Sequence, residues 1–153
     1  MRAILLFAHL LGFVLWIGSG LASMHLGKAI ETANREEFPM LLGLLGRMQR
    51  AMLLPGVVLT VISGLLLTLR LYGGAISAAG YPVSLMVMQG AGLLGAGIAI
   101  GVTVPTTGRL TRLDPQGPHA AVFASLRQRA SISGMLTGFL AMIALVSGAL
   151  LRS

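Results

Sequence analysis

The sequence contains no cysteine, which excludes disulfide bonds, thiolate metal ligands and cysteine nucleophiles. Charge is also scarce, because Asp, Glu, Lys and Arg together make up 10% of the 153 residues. Aromatic residues make up only 5%. The net charge of +7 does not indicate a nucleic-acid partner, because the cations border apolar segments and form no basic face with the aromatic residues.

Charge is missing altogether from four long segments, residues 3–27, 51–69, 71–108 and 130–151. A membrane span needs roughly 20 predominantly apolar residues, and charged side chains are rare within it. The sequence therefore predicts a single all-α domain over residues 1–153, an integral membrane antiparallel four-helix bundle with short loops whose first partner is the lipid bilayer. The predicted spans are residues 3–24, 41–71, 83–105 and 132–151, with a glycine-rich turn over residues 72–82.

The distribution of Lys and Arg predicts the orientation, because cytoplasmic loops carry an excess of these residues. The first and third loops hold Lys28, Arg35, Arg47, Arg50, Arg109, Arg112, Arg127 and Arg129, whereas the opposite side holds Arg2, Arg70 and Arg152. We therefore expect a multi-pass protein of the cell's inner (plasma) membrane with both termini on the outer side.

Two segments resemble each other closely enough to suggest duplicated helix pairs. Gln49-Arg50-Ala51 leads to Ser63-Gly64-Leu65-Leu66, and Gln128-Arg129-Ala130 leads to Ser147-Gly148-Ala149-Leu150. Pro39 and Pro118 precede these segments, so the second and fourth helices are expected to begin before the membrane does.

Small residues on the third span predict close helix packing. Gly97 and Gly101 form one row, and Ala91, Gly95 and Ala99 form another. Such rows favour a compact bundle, and a row that faces a second copy would instead give a homodimer.

Apart from Arg47, Arg50 and Arg70 near the borders of the second span, His9 is the only ionisable residue within the predicted hydrophobic spans. An ionisable side chain inside the membrane indicates function by default, and neutral imidazole binds haem iron and copper well. Gly12 and Trp16 follow it on one helical face, so we expect an imidazole, a flat gap for a planar macrocycle, and an indole. The alternative is a histidine that only hydrogen-bonds a carbonyl or serine across the bundle.

Other candidate ligands lie at both ends of the spans. Met86 and Met88 could serve as further metal ligands on the outer half, although they are two residues apart and face different ways. At the cytoplasmic border, His25 and His119 could share a site in which arginines bind propionates or phosphates. Those arginines are Arg47, Arg50, Arg127 and Arg129.

Residues 5–68 resemble a superfamily of small helical membrane proteins. The resemblance is carried by His9-Leu10 with Trp16 and Gly18, by Arg50-Ala51-Met52-Leu53-Leu54-Pro55, and by Ser63-Gly64-Leu65-Leu66. The superfamily contains HemJ-type protoporphyrinogen oxidases, CopD-type copper-resistance domains and related uncharacterised proteins. The HemJ-type resemblance implies that His9 is a haem ligand and that Arg50 is a family feature, whereas the third-span lysine of that family has no counterpart in residues 85–89.

Three classes of function follow from these residues. The first is a b-type haem protein in which His9 is the axial ligand for electron transfer or membrane redox chemistry. The second is a copper-handling membrane protein, as the CopD-type resemblance implies. The third is a non-catalytic accessory subunit of a larger membrane complex. The absence of an intramembrane carboxylate argues against an ion-coupled transporter.

Overall fold

A computed structural model describes residues 1–34, 36–73, 82–115 and 117–152, and this part of the chain is helical without a β-strand. Helix α1 covers Arg2–Thr32, α2 covers Glu37–Tyr72, α3 covers Val83–Leu110 and α4 covers Ala120–Ala149. Each helix is long and apolar enough to cross a membrane. The predicted all-α architecture with four long apolar helices is therefore confirmed.

The helices extend beyond the predicted spans, with lengths of 31, 36, 28 and 30 residues. A span of roughly 20 residues would leave between about 8 and 16 residues of each helix outside it. Helices α2 and α4 begin before their apolar runs, as Pro39 and Pro118 predicted. The end of the fourth predicted span differs slightly, because Leu150–Arg152 form a single 3-10 turn. Of the predicted glycine-rich turn, residues 74–81 lie outside the described residues.

Contacts along the helices show that neighbours run antiparallel and form two pairs. In the first pair, Gly12 of α1 lies against Gly56 of α2, where a methyl group on either glycine would come within 3.0 Å of the opposite backbone. In the second pair, Thr103 of α3 donates a hydrogen bond to Ser133 of α4 over 3.1 Å. Because Gly12 and Gly56 have no side chains, the α1 and α2 backbones approach more closely than any other residue would allow.

The two pairs pack together around Trp16, which is 1% exposed. Its ring lies on Gly95 of α3, where a methyl group would be 3.1 Å from the indole. The surrounding core consists of Phe13, Trp16, Leu53, Val57, Ala91, Ala96, Ala99, Ala141 and Ala144. A second, smaller core lies at the end of the bundle where α1 connects to α2 and α3 connects to α4. It consists of Ile30, Leu42, Leu110 and Phe123. The helix extensions are therefore packed together past the apolar runs, where Arg127 also pairs with Glu31 over 2.8 Å.

Two π-helical turns interrupt the second and third helices, α2 and α3. Gln49–Leu53 forms one in α2 and Ala99–Thr103 forms the other in α3, and each is followed two residues later by a proline, Pro55 or Pro105. Proline lacks an N–H and its ring crowds the carbonyl four residues earlier, so a widened turn before it relieves that crowding. A direct duplication would place such turns in α2 and α4, and the structure has them in α2 and α3.

The two small-residue rows of α3 face opposite environments. Ala91, Gly95 and Ala99 are buried against the rest of the bundle. Gly97 and Gly101 are exposed, and a methyl group added to either would meet no atom within 4 Å. The row of Ala91, Gly95 and Ala99 therefore packs the bundle. The predicted homodimer stays a prediction.

Candidate functional site

The side chain of His9 extends from α1 towards α2 and is partly buried. His9 lies about 10 Å along α1 from Arg2. Its Nδ1–H donates a hydrogen bond of 2.9 Å to the backbone carbonyl of Thr60, and Ser63 Oγ lies 3.3 Å from the same nitrogen. The hydrogen bond across the bundle that the sequence analysis held as an alternative is therefore present, but it occupies only one of the two ring nitrogens.

The hydrogen bond to Thr60 selects one tautomer of the neutral imidazole. A carbonyl oxygen can only accept, so Nδ1 must carry the proton, and Nε2 of the neutral ring then carries a free lone pair. No described residue forms a hydrogen bond with Nε2. Histidines that bind metals characteristically donate their other N–H to a carbonyl in this way, because the bond orients the ring and raises its basicity.

Gly64 on α2 provides the space for the imidazole. A methyl group at this position would lie 2.8 Å from His9 Cε1 and 3.2 Å from Nδ1, so the ring rests on the bare backbone of the helix. On its other side His9 contacts the edge of Phe13, with ring centroids 5.2 Å apart and an interplanar angle of 79°. The resemblance included Gly64, but its role against His9 becomes visible only when α1 and α2 are placed together.

A cavity of about 50 Å³ adjoins His9. Residues of all four helices line it: His9, Phe13, Trp16, Thr60, Val61, Gly64, Leu65, Met88, Gln89, Gly92, Leu93 and Ala144. A cavity needs only about 10–15 Å³ to hold a water molecule, whereas a drug-sized ligand needs about 300–1,000 Å³. The space accepts a metal ion or a few small molecules, and it does not enclose a porphyrin macrocycle.

The flat gap expected at Gly12 is filled. Thr60 and the Gly56 carbonyl lie directly against Gly12, so this glycine serves the close approach of α1 and α2. Tertiary packing thus uses the missing side chain of Gly12, and the predicted cofactor-binding role of this residue stays a prediction. Trp16 does line the cavity and stacks on Phe13, with ring centroids 6.1 Å apart.

The two methionines considered as ligands are separated by the structure. Met88 is partly buried and lines the cavity beside His9, while Met86 is 60% exposed on the outer face of α3. The Met88 sulfur rests on Gly148, where a methyl group would be 3.0 Å away. Each Ser-Gly motif thus provides the flat surface for one candidate ligand, Gly64 for His9 and Gly148 for Met88.

The arginines and the other histidines lie apart from this cavity. Arg50 is ten residues from Thr60 along α2, about 15 Å away, and its Nε–H bonds the Gly46 carbonyl over 3.2 Å. Arg129 is fifteen residues from Ala144 along α4, about 22 Å away. His25 is exposed and bonds the Leu21 carbonyl of its own helix. Among the described residues, no group of three or more His, Cys, Asp or Glu side chains could hold a metal ion.

Comparison with known proteins assigns no relative. No family model matches the chain, and neither a curated protein nor a solved structure matches it.

Proposed function

We propose that this protein binds copper(I) within the membrane through His9 and takes part in copper handling there. The observation that carries the proposal is the free Nε2 of His9, which the Nδ1–H bond to Thr60 leaves as an unprotonated ligand atom beside a small cavity. Neutral imidazole and methionine thioether are both suitable ligands for copper(I). Met88 in the wall of the same cavity is the second ligand in this proposal.

The charge balance of the site favours transfer of copper over storage. His9 and Met88 are neutral ligands, and none of the described residues that line the cavity is acidic. A bound copper(I) ion would therefore keep its positive charge, which costs free energy in a hydrocarbon environment. Retention is limited by that cost, so the ion would be held transiently and passed on.

A b-type haem is the second candidate, and the same Nε2 atom favours it, because haem iron is commonly held by one histidine. The fit is poorer, since the cavity of about 50 Å³ lies well below the roughly 300–1,000 Å³ of pockets for ligands of drug size. Copper therefore ranks above haem as the proposed ligand, whereas the sequence favoured haem because of the gap expected at Gly12.

The proposal is tested on detergent-purified protein titrated with copper(I) under anaerobic conditions, in competition with a chromogenic chelator. We expect one copper ion per chain, loss of binding in His9→Ala, and unchanged binding in His25→Ala, a matched histidine outside the cavity. Met88→Leu is expected to weaken binding about tenfold or more, and Met86→Leu to leave it unchanged. Wild-type affinity in His9→Ala would refute the proposal.

Absorption spectra of the same samples distinguish the other classes. A Soret band after haem addition that disappears in His9→Ala would favour haem over copper. A colourless protein without copper binding would favour the accessory-subunit class.

A further inference from the structure

A groove of about 410 Å³ lies between α3 and α4, far from His9. It is lined by Ile98, Val102, Ser125, Gln128, Arg129, Ile132, Ser133 and Leu136. The lining changes character along its length, with polar side chains near the start of α4 and apolar side chains further along both helices. We propose that this groove binds one anionic phospholipid, with the phosphate at Arg129 and an acyl chain between Ile98, Val102, Ile132 and Leu136.

The position of Arg129 matches the level of lipid phosphates. It is the last charged residue before the charge-free run 130–151, so it lies at the border of the hydrocarbon. From Arg129 to Leu136 the groove extends about 10 Å along α4, at ~1.5 Å per residue. Its apolar part, from Ile132 to Leu136, is about 6 Å long, so it accommodates the upper part of one acyl chain within the roughly 15 Å of a single leaflet.

The polar end of the groove is suited to an anion. Arginine can bind a phosphate through two parallel N–H bonds, and Ser125 and Gln128 add a hydroxyl and an amide donor beside it. Among the described residues, the lining contains no carboxylate. Arg129 itself has no ion pair or hydrogen bond within that part of the chain, whereas its neighbour Arg127 is paired with Glu31.

The shape of α3 contributes to the groove. Ile98 directly precedes the π-helical turn Ala99–Thr103 and Val102 lies within it. Thr103 donates a hydrogen bond of 3.1 Å to Ser133, which lines the groove. Ile132 and Leu136 are 57% and 45% exposed, so this side of α4 faces the surroundings of the bundle. A lipid chain would cover these side chains without any rearrangement of the helices.

The test is native mass spectrometry of the protein with phosphatidylglycerol, compared with phosphatidylcholine of the same acyl chains. We expect one phosphatidylglycerol retained per chain and clearly less phosphatidylcholine. Arg129→Gln should weaken retention about tenfold, because one charge-assisted interaction is lost. The matched control is Arg112→Gln, an exposed cation at the same end of the bundle that does not line the groove.

A second pair of variants tests the acyl-chain part. Ile132→Trp should fill the groove and displace the lipid, whereas Met135→Trp changes a residue of α4 that is 59% exposed and outside the groove. Equal losses in the paired arginine variants or in the paired tryptophan variants would overturn the proposal. Equal retention of the two lipids, or displacement by inorganic phosphate, would also overturn it. Copper binding by each variant stays a separate readout, so failure here leaves the His9 proposal intact.

Discussion

Gly64→Ala should disturb His9 without touching the histidine itself. The added methyl group would lie 2.8 Å from His9 Cε1, while carbon atoms normally approach to about 3.5–4.0 Å. The imidazole must therefore move by about 0.7 Å or more, and the cavity beside it gives it room to do so. A shift of that size away from Thr60 would lengthen the 2.9 Å hydrogen bond beyond the range of a real bond.

Two consequences follow for binding and stability. Losing the partner that orients a metal-binding histidine typically costs about 10–100-fold in metal affinity, so copper(I) binding should weaken at least tenfold. Overpacking costs about 1–3 kcal/mol, and replacing a helical glycine by alanine returns about 1 kcal/mol. The net change in unfolding free energy is thus a loss of about 0–2 kcal/mol.

The assay is anaerobic copper(I) competition with a chelator, with thermal unfolding recorded on the same samples. Gly90→Ala is the matched control, because this exposed glycine of α3 has no atom within 4 Å of an added methyl group. We expect the control to bind copper like the wild type and to unfold at the same or a slightly higher temperature. Equal copper affinities in Gly64→Ala and Gly90→Ala would show that Gly64 does not position His9, and the reasoning would fail.

Two further pairs of variants test the packing of the bundle. Gly12→Ala should lower the stability by about 1–3 kcal/mol, because its methyl group would meet the rigid backbone of α2. The matched control, Gly18→Ala, has open space around it and should be nearly neutral. Both are measured by thermal unfolding. Thr137→Val should raise the stability by about 1 kcal/mol, because the buried hydroxyl of Thr137 has no partner among the described residues. Thr103→Val should lower the stability by a similar amount, because it removes the hydrogen bond to Ser133. A loss of stability in Thr137→Val would contradict the assignment of an unpaired hydroxyl.

The sequence was informative where a single physical constraint dominates. Charge-free runs predict helices that can cross a membrane, because hydrocarbon excludes charge and demands that backbone groups bond within their own segment. The same constraint singled out His9, whose presence in such a run needs an explanation. Proline positions predicted the early starts of α2 and α4: Pro39 lies in the first turn of α2, and Pro118 lies two residues before α4 begins.

Local patterns were less informative for glycine, which has several uses. Gly12 was expected to leave room for a cofactor, but it brings two backbones together. Gly97 and Gly101 were expected to pack against another helix of the bundle or against a second copy, and within one chain they face outward. A missing side chain creates space at a known position, and only the neighbouring helix determines what fills that space.

By itself, then, the sequence determined the helix count, the long apolar runs and the presence of His9 inside the first of them. Only the tertiary structure decided that Nδ1 of His9 bonds Thr60, that Nε2 stays free, and that Met88 rather than Met86 shares the cavity. The physical reason is the range of the interactions. Hydropathy and charge act residue by residue along the chain, whereas a ligand site depends on atoms from different helices brought within a few ångströms of one another.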